Sequence, residues 1–184
     1  ARQRKQNFFV HLSLPKPHQC YTPAQEFWDM YEQDKLTLPP NIDYDMSLKA
    51  PHLAETSRIW KNGDWWILFE PKTFEAARRR KLHGYLGNVS HVDNAVGQVL
   101  DWLLDSGLAD KTIVVYTSDH GDYACEHNIM EKAPGICSDA ITRVPMLWWS
   151  PGRFKAGHVV KEVVEGIDAA ATLPPLAGLA PLET

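Results

Sequence analysis

The sequence predicts an α/β domain layered around a mainly parallel sheet. Three features carry that expectation: a helical period from Thr73 to Ser106, the β-branched run Thr112-Ile113-Val114-Val115-Tyr116-Thr117 that follows it, and an apolar strand from Val144 to Trp149 beyond a polar loop. Strand, long helix, strand, loop, strand is the rhythm of such domains. Composition agrees, because 184 residues with 44% hydrophobic and 23% charged side chains are globular proportions, long enough to bury a core. The 19 basic and 23 acidic residues leave a net charge of −4. The one basic run, Arg78-Arg79-Arg80-Lys81, reads as a solvated helix face, so no nucleic-acid partner is expected. No apolar stretch approaches the roughly 20 residues of a membrane helix, so no membrane span is expected.

The elements follow in order. Asn7 to Leu14 is a short apolar run closed by Pro15-Lys16-Pro17, a buried strand leading into a rigid turn. Residues 20–72 read as irregular, with turns marked by Pro39-Pro40, Pro51 and Lys61-Asn62-Gly63-Asp64. Their aromatics, Trp28, Tyr31, Trp60, Trp65 and Trp66, are expected to form a satellite core under a long loop, with a lined pocket as the alternative. Leu82, Tyr85, Leu86, Val89, Val92, Val96, Val99, Leu100, Leu103 and Leu104 recur at helical steps on one face. Thr73 is the expected N-cap and Gly107 the residue just past the end, while Gly84 and Gly87 leave room for a kink or two helices. The run at 112–117 has the composition of a strand buried on both faces. The next strand stops at Pro151-Gly152, Val159 to Val164 is a candidate fourth, and Asp168 to Leu179 a closing helix. Cys20, Cys125 and Cys137 are odd in number and lack zinc spacing, so no disulfide framework is expected and either cytoplasm or periplasm suits them.

In layered α/β domains, sites gather where strand ends meet loops. Ser118-Asp119-His120-Gly121 delivers a carboxylate and an imidazole to one point, with Gly121 allowing the tight turn. One His beside carboxylates suits Ca²⁺, Mn²⁺ or Mg²⁺ better than a thiolate-rich zinc site. The plain alternative is an Asp capping a turn next to an unrelated His. The loop that follows carries Glu126, His127 and Lys132. A cation with Lys and His nearby supplies the charge and donors a tetrahedral oxyanion needs. His18, at the end of the first strand, adds another imidazole on the same expected sheet edge. Alone, Lys132 also reads as a surface residue and His18 as a turn histidine.

Phe8-Phe9-Val10-His11-Leu12-Ser13-Leu14-Pro15-Lys16-Pro17-His18 resembles the strand and Lys-Pro-His turn of sulfatases. Tyr85 to Gly121 is similar to their central block, through Asp93-Asn94-Ala95-Val96-Gly97 on the helix and Leu108 to Gly121 after it. Cys125 to Lys132 resembles the family's Gly-Glu-His-Gly loop ending in Lys. Arg143-Val144-Pro145-Met146, Ser150-Pro151-Gly152 and Asp168 to Gly178 continue the match in order, with residues 20–75 outside it.

The resemblance implies a three-layer α/β/α alkaline-phosphatase-like sheet and hydrolysis of sulfate esters. It implies Asp119 and His120 as ligands of a divalent metal, usually Ca²⁺, with Mn²⁺ or Mg²⁺ as alternatives. Lys132 would contact the sulfate and the leaving oxygen, His18 would bind a sulfate oxygen and assist the leaving group, and His127 would be a candidate substrate contact. Many sulfatases carry Asn at the position of His120, whereas related phosphonate and choline-ester enzymes carry His. The family's nucleophile is a formylglycine made from a Cys-x-Pro-x-Arg or Ser-x-Pro-x-Arg motif, with an Asp pair completing the metal site. Here Cys20 is followed by Tyr-Thr-Pro, Cys125 by Glu-His-Asn and Cys137 by Ser-Asp-Ala, and no Asp-Asp pair occurs.

The expectation is therefore a C-terminal portion of a sulfatase catalytic domain, lacking the N-terminal strands. Residues 1–19 would be the strand and Lys-Pro-His turn, 20–72 an irregular aromatic-rich insertion, and 73–184 the helix, the metal-site strand and the C-terminal strands. The parent would be a sulfuric ester hydrolase of small-molecule or carbohydrate sulfate esters, its formylglycine lying outside this inactive portion. A phosphonate monoesterase or phosphodiesterase of the same superfamily, and a non-catalytic module, are the alternatives. An unpaired apolar sheet edge is expected, and with it self-association.

Overall fold

Residues 20–62 are more ordered than their composition suggests. The computed structural model describes residues 6–62, 74–132 and 137–182. After a single turn, α1 (Gln25–Trp28), come tight turns at Gln33–Lys35 and Met46–Leu48 and a 12-residue helix, α2 (Pro51–Asn62). Pro51 opens this helix and is not a loop turn, since proline's fixed φ suits a first turn whose N–H has no partner to bond. Leu53, Ser57 and Trp60 share one face, with Leu53 and Ser57 buried and Trp60 packed on the core. The satellite-core reading of the aromatics holds: Trp28 lies 4.0 Å from the His83 ring, and the Tyr31 hydroxyl meets Ser90 Oγ at 2.7 Å. Trp65, Trp66 and the turn at Gly63-Asp64 lie outside the described residues.

The long helical period becomes one unbroken helix, α3 (Phe74–Asp105). Its expected cap, Thr73, falls outside the described residues. At the other end Gly107 takes φ +68° and donates its N–H to Leu104 O at 3.0 Å, a left-handed stop that glycine adopts without strain. Gly84 and Gly87 do not divide the helix; they let another segment approach it. A Cβ on Gly84 would meet the Tyr21 carbonyl, and one on Gly87 would lie 2.6 Å from Pro23 Cγ. On this side Leu82 joins Tyr21, Ile42, Cys125 and Met130 in a core flanked by Leu36, Leu38, Tyr85 and Leu86.

The basic run is not a solvated face. Arg78 donates to Asn128 Oδ1 at 2.7 Å, Arg79 to the Leu36 carbonyl at 2.5 Å, and Arg80 lies over Trp28. Lys81 is buried with its ammonium over the rings of Trp60 and Tyr21. The helix turns Arg78, Arg79 and Lys81 inward, where aromatic faces and polar oxygens receive them, while Arg80 stays exposed.

Gly84→Ala tests the close approach. Alanine gains about 1 kcal/mol in helix propensity, but a collision with a backbone carbonyl costs about 1–3 kcal/mol or more. Gly97, in the same helix, has nothing within 4 Å of its virtual Cβ. Thermal unfolding of the full-length protein is expected to show a lower Tm for Gly84→Ala and an unchanged or higher Tm for Gly97→Ala. Equal shifts would remove the packing argument.

The chain divides into two compact units, Ala1–Leu100 with Tyr123–Ala133, and Asp101–Asp122 with Pro134–Thr184. The second contains β1 (Val114–Thr117), α4 (Asp139–Thr142), β2 (Met146–Trp149) and α5 (Gly166–Leu176). β1 and β2 pair antiparallel, Val114 opposite Trp149 and Thr117 opposite Met146. Among the described residues this corrects the expected mainly parallel sheet. A parallel pair needs a crossover of a dozen or more residues, usually a helix. The chain between β1 and β2 instead spends residues 123–133 in the other unit and forms only the single turn of α4. Nor is β1 buried on both faces, since Tyr116 is 41% exposed. β2 ends where expected, in a turn at Pro151-Gly152 closed by the Arg153 N–H on Ser150 O at 3.1 Å.

Two apolar runs are not strands. Residues 6–15 and 159–164 carry no strand pairing, and Phe9 is 79% and Val163 93% exposed. β-branched composition fits a pleated surface but does not form one without a neighbouring ladder. These runs are exposed apolar chain and form no sheet edge, so the expected unpaired edge is not seen at either of them. α5 starts two residues before its expected position, at a capping box between Glu165 and Asp168. Gly178, at φ +77°, stops it, with the Leu179 N–H on Pro174 O at 2.9 Å. No helix among the described residues is long and apolar enough to cross a membrane.

Candidate functional site

His18 lies on the turn that closes the first apolar run. Asn88, wholly buried on α3, meets that turn through its side-chain amide: Oδ1 accepts from Lys16 Nζ at 2.9 Å, and Nδ2 donates to the carbonyls of Pro17 at 3.3 Å and Cys20 at 3.4 Å. Lys16 Nζ also donates to Thr22 O at 2.9 Å. The His18 ring is exposed, and its Nδ1 donates to Gln19 O at 3.0 Å, which makes Nε2 the ring atom that faces away from the local backbone bond.

The loop from Tyr123 to Lys132 is strained and tightly held. Ala124, Cys125, His127, Asn128 and Glu131 are left-handed, with φ from 46° to 79°. That conformation costs a residue with a Cβ about 1–2 kcal/mol, and least for Asn. Ile129 and Met130 offset it, because each is essentially fully buried and such side chains contribute about 1.5–3 kcal/mol. The preceding segment adds hydrogen bonds: Asn41 Nδ2 to Glu126 Oε2 at 3.0 Å, Ser57 Oγ to His127 O at 2.6 Å, and Asn128 Nδ2 to Ile42 O at 2.6 Å. The loop is therefore fixed by residues 41–57, which the sequence alone did not connect with it.

The His127 ring stands edge-on to Tyr44 and Tyr123, at 5.7 and 6.4 Å between centroids. Its Nδ1 is buried without a hydrogen-bond partner. Burial, then the nearby Lys49 charge, hold the imidazole below its ordinary value of 6.5, with Glu126 acting in the opposite sense. Near neutral pH His127 is thus a hydrogen-bonding group and not a fixed cation. Lys132 closes the loop and is exposed.

The second unit carries the Asp119–His120 pair. Beyond β1, Asp119 Oδ1 accepts from the His120 N–H at 3.0 Å, and Ser118 Oγ donates to His120 O at 2.9 Å. His120 Nδ1 donates to Gly121 O at 2.7 Å, which sets Nε2 on the Asp119 side, 3.7 Å from Oδ2. Gly121 is required by proximity: its N–H donates to Ile141 O at 2.7 Å, and a Cβ there would strike the Ala140 carbonyl. A carboxylate and an imidazole nitrogen at this separation fit two donors to one hard cation. Two donors fall short of a coordination sphere, and among the described residues no group of three or more His, Cys, Asp or Glu is arranged to hold a metal ion. The cysteines do not fit a formylglycine position, since none sits in the required motif and Cys125 is wholly buried. The three cysteines form no disulfide, as expected.

The structure therefore joins Asp119 to His120, while His18, His127 and Lys132 belong to the other unit as separate positions. Sequence reasoning missed Asn41, Ser57, Arg78 and Asn88. The signal available for Ser57 and Asn88 was a polar residue on the buried face of a helix.

A sulfatase family model matches residues 1–179. The chain is 29% identical to an arylsulfatase of Clostridium perfringens, over 94% of this chain and 34% of that one. It is 28% identical to a choline-sulfatase of Rhizobium meliloti, over 91% of this chain and 31% of that one. The solved structure of the phosphonate monoester hydrolase SpPMH from Silicibacter pomeroyi matches 96% of this chain and 35% of that one, with a TM-score of 0.81 and 27% identity. The chain thus spans about a third of the length of the curated relatives it matches, and its fold is the alkaline-phosphatase-like α/β fold.

Proposed function

This chain belongs to the sulfatase family, and from that membership we propose that the whole protein hydrolyses sulfate monoesters of small molecules or carbohydrates. The observation that carries the reading is the sulfatase family match over residues 1–179, beside which the Asp119–His120 pair sets Oδ2 and Nε2 3.7 Å apart with Nδ1 committed to Gly121 O. In this reading the pair holds a divalent metal, Ca²⁺ by family habit with Mn²⁺ or Mg²⁺ as alternatives, which when bound draws charge from the sulfate oxygens. A formylglycine nucleophile would come from outside this chain.

The chain's own residues supply charge and protons. Lys132 neutralises the sulfate and the leaving oxygen as the ester S–O bond lengthens. His18, with Nδ1 on Gln19 O, presents Nε2 to a sulfate oxygen and, when protonated, gives that proton to the departing alkoxide or phenoxide. His127, its imidazole held below the ordinary 6.5 by burial, is assigned a contact to a substrate hydroxyl or sulfate oxygen.

A second reading, phosphonate monoester or phosphodiester hydrolysis, is favoured by His at position 120 and by the likeness to SpPMH. The full-length protein decides between them when kcat/KM is compared on an aryl sulfate and an aryl phosphonate monoester. A sulfate preference is expected. A strong phosphonate preference would put the second reading first, and no turnover of either would leave a non-catalytic module.

A further inference from the structure

We propose that Asn88 is the positioning residue that sets the attitude of His18. A buried amide is costly unless its donors and acceptor are satisfied. Asn88 is 0% exposed, and all three of its side-chain hydrogen bonds go to one turn. The orientation of the amide is fixed by chemistry: Lys16 Nζ only donates, so it meets Oδ1, and the two carbonyls only accept, so they meet Nδ2. Those carbonyls belong to Pro17 and Cys20, which bracket His18.

The other features of the turn agree. Lys16 is half-buried and spent on Asn88 Oδ1 and Thr22 O, so it ties residues 16 and 22 together and is not offered to a ligand. Gly84, one helical turn before Asn88, admits the Tyr21 carbonyl, and Gly87 admits Pro23. His18 has only a local bond, to Gln19 O. The direction of its Nε2 is therefore the direction of the turn, which the Asn88 amide ties to α3 through three hydrogen bonds.

The kinetic consequence rests on the role proposed for His18 above. A displacement of about 1 Å at a reacting group costs on the order of 10²-fold in rate. In the full-length protein, Asn88→Ala is expected to lower kcat on aryl sulfates by about 10-fold to 10²-fold with little change in KM. The loss should grow as the leaving group becomes poorer, as it does for His18→Ala. Because Asn88 acts through His18, the double variant should be no slower than His18→Ala within about threefold. Asn88→Asp keeps the size and the acceptor for Lys16 but sets a carboxylate oxygen against the Pro17 and Cys20 carbonyls, and should lose at least as much activity as Asn88→Ala. Multiplying losses in the double variant, or a loss independent of leaving group, would overturn the proposal and leave Asn88 a merely structural residue.

Nitrogen NMR of the His18 ring separates this from the function itself. The wild type should show one fixed tautomer, protonated at Nδ1, and Asn88→Ala an averaged one. If His18→Ala turns over normally while that spectral change occurs, the sulfate-ester role of His18 fails and the positioning survives. An unchanged spectrum in both Asn88 variants overturns the positioning.

Discussion

Lys132→Ala is expected to lower kcat of the full-length protein on an aryl sulfate by about 10²-fold or more, the usual loss for one oxyanion donor. The ammonium meets charge that develops as the ester bond breaks, so kcat should fall more than KM rises. Lys132 is exposed at the end of its loop, and exposed substitutions usually move stability by less than about 0.5 kcal/mol. Tm should therefore stay near the wild-type value, which separates lost chemistry from lost folding. Lys132→Arg keeps the charge but replaces a compact ammonium with a planar fork, and should recover part of the rate. Turnover within about threefold of wild type in Lys132→Ala would remove this residue from the proposed machinery.

What the sequence disclosed depended on how far apart the interacting residues lie. α3 was legible because its signal is local: apolar residues at helical steps, closed by Gly107. β2 was legible for the same reason, with Pro151-Gly152 as its stop. The antiparallel pairing of Val114 with Trp149 was not, because the direction of a strand depends on its connection and not on its own composition. Residues 7–14 and 159–164 have strand-like composition and form no strand, since β-propensity describes fit to a neighbour. The basic run misled through composition alone: Arg78 binds a residue 50 positions away, and nothing nearby announces that partner.

The site divides along the same line. Asp119, His120, His127, Lys132 and His18 were named from motif order, which marks residue type and sequence position. The supports were hidden: Lys16 to Asn88 spans 72 residues, and Asn128 to Ile42 spans 86. Gly84 and Gly87 announced themselves, but as weak points of a helix, when their function is to admit Tyr21 and Pro23. Glycine within a helix is ambiguous until the neighbour is known.

Asn128→Ala should expose the importance of those hidden supports. Asn128 is buried, donates to Ile42 O at 2.6 Å and accepts from Arg78 at 2.7 Å, with φ at 62°. Losing a buried partner costs about 1–3 kcal/mol, and more when the group left behind is charged. Alanine also tolerates left-handed backbone less well than asparagine, by about 1 kcal/mol. The variant is expected to lose about 3–5 kcal/mol, in the range reserved for broken buried networks. The urea midpoint of the full-length protein should fall with its slope unchanged. Asn128→Gly removes the same bonds but relieves the backbone, and should be milder by about 1 kcal/mol. Because His127 precedes Asn128 directly and Lys132 closes the same loop, kcat should fall in both variants even under conditions where they remain folded. A loss below about 1 kcal/mol with normal turnover would mean that water replaces Asn128 at Ile42 and Arg78. The buried apolar side chains Tyr123, Ile129 and Met130 would then hold the loop without that network.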